Sequence, residues 1–286
     1  MDRADPPADD RPIGMFDSGF GGLTVARAVI DLLPNEHIIY VGDTGRYPYG
    51  SKPQAEVASH ARQIARHLID EYDAKVIVVA CNTAASAVDL AAELPVPVIG
   101  VIEPGARALV KATRSGAVGV IGTVGTVGSG SYQRAVAEAA SRLAVETPTG
   151  QPATVEVDLT CAACPGFVEF VERGVTAGDE ITVLAERLLA PVVEAAVDTL
   201  LLGCTHYPYL ARVIGEVMGR EVVLVSSADE TAFALSRLLA DRGLARTGTT
   251  PGWHRFLSSG DVEWFRALGR RLLGPELTTA EPITFH

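Results

Sequence analysis

Two cysteines stand where a chain can use them for chemistry. Cys81 opens "CNTAAS" directly after the apolar run "KVIVVA", and Cys204 opens "CTHYPYL" directly after "DTLLLG". Each is expected at the end of a buried strand and at the amino end of a helix, where exposed N–H groups and the helix dipole favour thiolate over thiol. A free thiol titrates near 8.5, so a modest lowering makes each a usable base at neutral pH. A cysteine hydrolase needs one thiolate and a histidine base. His206 could serve Cys204 in that way, but Cys81 would then be unused. Inversion of a stereocentre uses both thiols: one base takes the Cα proton from one face while a conjugate acid delivers a proton to the other. Ordinary packing is the alternative for either cysteine taken singly.

Other motifs are less specific. Asp17 and Ser18, at the tip of the first strand in "FDSGFGGL", could hold an ammonium or orient an acid–base group, and could equally cap the next helix. "GFGGLT" has Thr24 where a dinucleotide fingerprint wants its third glycine, and the chain has no Gly-Lys-Ser/Thr phosphate loop. Gly21 and Gly22 then serve a tight turn. Cys161 and Cys164 in "CAAC" have the spacing of a redox dithiol or half a zinc site, but the remaining cysteines are singletons, and packing near a pocket is the better reading. No metal is expected. A pyridoxal cofactor needs a Schiff-base lysine, and Lys52, Lys75 and Lys111 are the only lysines. Only Lys52 lies in a strand-end motif.

The elements that must position these residues follow from the pattern of apolar runs. Runs such as "HIIYVGD", "KVIVVA", "VPVIGVI", "AVGVIGT", "TVEVDL", "DTLLLG" and "EVVLVSS" alternate with helix-like stretches such as "AEVASHARQIARHLIDEY". That alternation implies an α/β, doubly wound protein with mainly parallel sheets. In such sheets the ligand sits at the carboxyl ends of the strands, near the point where strand order reverses. The segments just after each run, from "FDSGFGGL" and "GDTGRYPYGSK" to "VIEPG", "DLTCAACPG" and "GCTHYP", are accordingly the candidates. With 286 residues and 48% apolar content the chain can fill one large or two medium cores. The net charge of −11 argues against non-specific nucleic-acid or anionic-membrane partners. The start "MDRADPPADDRP" lacks the pattern of a signal peptide, and no apolar run approaches the roughly eighteen residues of a membrane span. A cytoplasmic protein with a disordered tail over 1–11 is expected, acting on a small molecule.

Six motifs in order, "FDSGFGGLTV", "GDTGRYPYG", "ACNTAAS", "GTVGTVGSGSY", "ACPGFVEFVERG" and "GCTHYPYL", resemble those of the glutamate racemases of bacterial cell-wall synthesis. The likeness runs from about Ile13 to "HRFLSSGD" near Asp261. It implies two similar α/β domains, 12–104 plus 226–286 and 105–225, with the active site in the cleft between them. It also implies a cofactor-independent two-base mechanism and a homodimer. By the same resemblance Cys81 deprotonates D-glutamate and Cys204 serves L-glutamate, while Asp17 and His206 tune the thiols. Ser18, Tyr49, Gly50, Asn82, Thr83 and Thr205, with Asp17 and His206, are the implied substrate contacts. Asp43 and Glu172 match polar residues in or near the site. The chain departs from the commoner pattern around Asp43, with Gly42, Gly45 and Arg46, so Arg46 receives no role. An aspartate or hydantoin racemase is the nearest alternative, against which His-Tyr-Pro after the second Cys-Thr speaks. A Cys-His amidohydrolase and a non-catalytic amino-acid-binding module are the alternatives from other classes.

Overall fold

The computed structural model describes residues 9–146 and 156–285. The chain runs β1 (Ile13–Asp17), α1 (Leu23–Leu32), β2 (Ile38–Gly42), α2 (Gln54–Tyr72), β3 (Val76–Val79), α3 (Asn82–Ala87) and β4 (Val98–Gly100). It continues through α4 (Ile102–Ala112), β5 (Ala117–Gly122), α5 (Val124–Gly128), α6 (Ser131–Glu146), β6 (Asp158–Ala163), α7 (Phe167–Glu172) and α8 (Asp179–Glu194). The remainder is β7 (Thr199–Gly203), α9 (Ala211–Met218), β8 (Val223–Ser226), α10 (Ser227–Arg242), β9 (His254–Ser258), α11 (Val262–Leu273) and the short β10 (Glu281–Pro282).

The strands form two separate sheets, ordered β10-β9-β2-β1-β3-β4 and β6-β5-β7-β8, in which every pair is parallel. The architecture is α/β with two parallel sheets. Central strands β1, β2, β3 and β7 are buried at every residue, which is why their sequences are continuous apolar runs rather than alternating ones. Helices cover both faces of each sheet, giving four buried clusters among the described residues. Side chains of α1, α10 and α11 fill one face of the first sheet and those of α2 the other. In the second sheet α4 and α6 cover one face, and α7, α8 and α9 the opposite one.

Both sheets share the core order β2-β1-β3-β4 or its equivalent β6-β5-β7-β8, so strand order reverses between β1 and β3 and again between β5 and β7. Those two switch points are where a doubly wound sheet opens a crevice at its carboxyl edge. We propose domain limits of 12–104 plus 226–286 and 105–225, which place the α10 segment with the first sheet.

Two expectations change. Residues 1–8 lie outside the described residues, but 9–11 of the expected tail are held in place. Arg11 pairs with Asp9 at 2.7 Å, and Lys75 donates to the Asp9 carbonyl at 2.8 Å. The strand expected from "TVEVDL" instead spans Asp158–Ala163, pairing Ala117 with Asp158 and Gly122 with Ala163. As an edge strand with mostly half-buried residues, β6 has too little apolar contrast to mark its own limits.

Candidate active site

One cavity of about 100 Å³ collects the strand ends of both sheets. From the first sheet come Asp17 and Ser18 after β1, the loop 47–51 after β2, and Cys81, Asn82 and Thr83 after β3. From the second come Thr123 and Val124 after β5, Cys164 to Gly166 after β6, and Cys204, Thr205 and His206 after β7. Each cysteine thus stands at the switch point of its own sheet. Hydrogen bonds stitch the sheets together around the cavity. Thr83 Oγ1 lies 3.0 Å from Thr123 Oγ1, the Gly50 carbonyl accepts from Gly125 N–H at 3.1 Å, and Thr24 Oγ1 donates to the Thr205 carbonyl at 3.3 Å.

Around Cys81, small residues let the chain turn from β3 directly into α3, with Ala85 N–H donating to the Cys81 carbonyl at 2.8 Å. The sulfur lies 3.8 Å from Ser18 Oγ. Asp17 is buried, and its Oδ2 accepts from Gly19 N–H at 3.1 Å while Oδ1 has no hydrogen-bond partner among the described residues. Burial, and then the Asp17 charge, push the Cys81 thiol far above its ordinary value, and N–H groups of Ala84 and Ser18 only partly offset them. The expected lowering by a helix end is therefore reversed. Desolvation of a thiolate at the buried Cys81 outweighs a six-residue helix. Burial also pushes the Asp17 carboxyl up, against the charge on His206, the Gly22 N–H, the Cys81 thiol and the Gly19 N–H.

Around Cys204 the helix expected after the thiol is a single 3₁₀ turn, Tyr207–Leu210, leading into α9. The polarising group there is a side chain. His206 Nδ1 lies 3.9 Å from Cys204 Sγ, and His206 Nε2 lies 3.1 Å from Glu172 Oε1. Burial works against a charged ring, but the contacts with Cys204 and Glu172 and the charges on Cys204 and Asp17 raise His206 to about 10. Glu172 sits behind His206 and is absent from the cavity wall. Gly21 packs against this pair: a Cβ there would fall 2.3 Å from His206 Nδ1 and 2.4 Å from Thr205 Oγ1.

Asn82 Nδ2 donates to Tyr132 OH at 2.7 Å, which leaves Asn82 Oδ1 without a partner among the described residues. Buried Asp17 and Asn82 therefore each present an unpaired acceptor beside the cavity, and unpaired buried acceptors cost about 1–3 kcal/mol each until a donor reaches them. A substrate ammonium supplies such donors. Tyr49 is buried in the wall with its hydroxyl on Asp43 Oδ2, and Asp43 itself lies behind the wall.

All the candidate residues except Asp43 and Glu172 border the cavity. Tyr47, Thr123, Glu169 and Cys164 border it too and were not singled out as site residues, although Thr123 and Cys164 end strands as the general rule requires. The segment "VIEPG" fails that rule, because β4 is the sheet's edge and its end opens onto a different groove. Cys161 and Cys164 belong to clusters on opposite faces of the second sheet, as an extended i, i+3 pair must, which removes the dithiol geometry.

Comparisons with known proteins identify the family. The family model described as Asp/Glu/Hydantoin racemase matches residues 22–234. A glutamate racemase of Acidothermus cellulolyticus is 51% identical over 269 residues, covering 93% of this chain and 96% of that protein. The crystal structure of a glutamate racemase from Bacillus anthracis superposes with a TM-score of 0.85 at 39% identity, covering 97% of this chain and 98% of that one. A glutamate racemase from Francisella tularensis in complex with D-glutamate gives a TM-score of 0.85 at 32% identity, covering 96% and 98%. No helix among the described residues is long and apolar enough to cross a membrane. With the fold, the shared cavity and these likenesses in agreement, the chain belongs to the Asp/Glu/Hydantoin racemase family, among its glutamate racemases.

Proposed function

We propose that the chain interconverts L-glutamate and D-glutamate without a cofactor, with Cys81 and Cys204 as the two acid–base groups on opposite faces of Cα. The observation that carries this reading is the placement of both buried thiols, one from each sheet, in the wall of one small cavity. Asp17 Oδ1 and Asn82 Oδ1 receive the ammonium. Hydroxyls of Ser18, Thr83 and Thr205, with loop N–H groups near Gly50, receive carboxylate. Such preorganised donors stabilise the charge that develops on the carboxylate side as the Cα proton leaves, most strongly where water is excluded.

The two thiols have different surroundings. Cys81 is held as the neutral thiol, ready to give a proton, while Cys204 faces a positively charged His206 held by Glu172. That asymmetry suits the direction in which Cys204 takes the proton of L-glutamate and Cys81 protonates the opposite face. The reverse reaction exchanges the roles. Product D-glutamate then supplies peptidoglycan synthesis in the cytoplasm. A homodimer accompanies this reading, expected at twice 30.1 kDa in light scattering.

The Cys204, His206 and Glu172 relay also has the order of a thiol hydrolase, which would leave Cys81 idle. Single-cysteine variants separate the two readings. Cys81→Ala and Cys204→Ala should each nearly abolish racemisation in both directions while the fold persists by circular dichroism. Near-normal turnover in Cys81→Ala would overturn the two-base reading in favour of the relay alone.

A further inference from the structure

Arg46 lies outside the cavity, with Nε and Nη1 of its guanidinium hydrogen-bonded and Nη2 buried without a hydrogen-bond partner among the described residues. Its Nε donates to both carboxylate oxygens of Asp43, at 3.0 and 2.8 Å. Its Nη1 meets His60 Nδ1 at 3.1 Å and Gln63 Oε1 at 2.7 Å, both on α2. Its face is covered by the Phe285 ring, 4.6 Å from guanidinium carbon to centroid, and that ring meets His67 edge-on at 5.5 Å. Asp43 is buried and also accepts from Ser259 Oγ at 2.5 Å and from the Tyr49 hydroxyl. Burial, then the Asp43 charge, hold the Tyr49 phenol far above its ordinary value, so it acts as a donor. Tyr49 lines the cavity, and the next residue, Gly50, binds the second sheet through Gly125.

A buried carboxylate keeps its charge only while a cation and donors compensate it. We propose that Arg46, capped by Phe285, is a positioning residue for the reaction: through Asp43 it fixes Tyr49 and the 47–51 loop against the cavity. The inference rests on reading that cavity as the site of glutamate racemisation. A wall contact of this kind is the same in ground and transition states, so its loss raises KM and leaves kcat.

The test is steady-state racemisation of both enantiomers, followed by circular dichroism. Phe285→Ala should raise KM about two- to fivefold, the size of a lost exposed cation–π contact, with kcat within about twofold of the parent. Phe285→Tyr keeps the ring face and should restore KM. Arg46→Lys keeps the charge but loses the fork and the flat face, and should raise KM further. In a Tyr49→Phe background, Phe285→Ala should add nothing, because the link from Asp43 to the wall is already cut. An unchanged KM in Phe285→Ala, or the same increment with and without the Tyr49 hydroxyl, overturns the inference alone. Failure of the unaltered chain to racemise glutamate overturns the reading of the site and this inference with it. Phe285 lies at the surface end of the network, so the result does not depend on whether Arg46→Lys folds.

Discussion

Replacing Glu172 with Gln tests whether His206 is held charged by its rear partner. The carboxylate lies 3.1 Å from His206 Nε2, and the ring is raised to about 10 with that contact among the causes. A hydrogen bond to a charged group contributes about 1.5–3 kcal/mol, and one pKa unit corresponds to about 1.36 kcal/mol. Loss of the charge should therefore lower the ring pKa by about one to two units, to about 8–9. At pH 7 the ring stays mostly protonated in the variant, so the racemisation rate should fall only modestly. At pH 9 the protonated fraction should drop by roughly two- to tenfold relative to the parent, and the rate with it. A raised histidine contributes to stability fully below its unfolded value near 6.5 and loses that contribution as pH rises through about 10. Glu172→Gln should shrink this alkaline loss. The assay is an NMR titration of labelled histidine rings, assigned with His206→Asn, beside a pH–rate profile. A His206 titration unmoved or shifted upward in Glu172→Gln would refute the reasoning.

Two further substitutions follow from the packing. Gly21→Ala places a Cβ within 2.3 Å of His206 Nδ1, so the imidazole must leave its line between Glu172 and Cys204. Racemisation should fall more than about tenfold in both directions, with an overpacking cost of about 1–3 kcal/mol. Gly128→Ala, with nothing within 4 Å, is the control, and equal effects at the two positions would contradict the account. Lys75, buried and 2.6 Å from Glu36 Oε2, also holds the Asp9 carbonyl below the first sheet. Lys75→Met should cost about 3–5 kcal/mol in denaturant unfolding by stranding Glu36, and Glu36→Leu added to it should recover most of that. A loss below about 1 kcal/mol in the single variant would show Glu36 already solvated or protonated.

Much of this arrangement is legible in the sequence because parallel strands buried on both faces are written as unbroken apolar runs. The residue after each such run is then a candidate by topology alone. Asp17, Cys81 and Cys204 were reachable in this way. Sheet order is different: which strands lie beside β1 or β5 depends on crossover packing, so the coincidence of each thiol with a switch point needs the structure. The electrostatics at Cys81 are not legible in this way, because sequence shows a helix start but not the depth of burial, and burial dominates. Tyr47 and Glu169 carry no such signal, since neither ends a strand. Arg46 stood out only as a departure from a pattern, and its partners His60, Gln63 and Phe285 come from segments remote in sequence.

The central claim is that two different sulfurs handle two different protons. In heavy water, starting from protiated L-glutamate, the proton taken from Cα stays on one sulfur while the product receives a solvent-exchanged deuteron from the other. Separated enantiomers at low conversion, measured by proton NMR or mass spectrometry, should show D-glutamate deuterated at Cα and recovered L-glutamate almost unlabelled. Protium retained in a large share of the early D-glutamate, or equal labelling of both enantiomers, would mean one base serving both faces and would contradict the two-thiol mechanism.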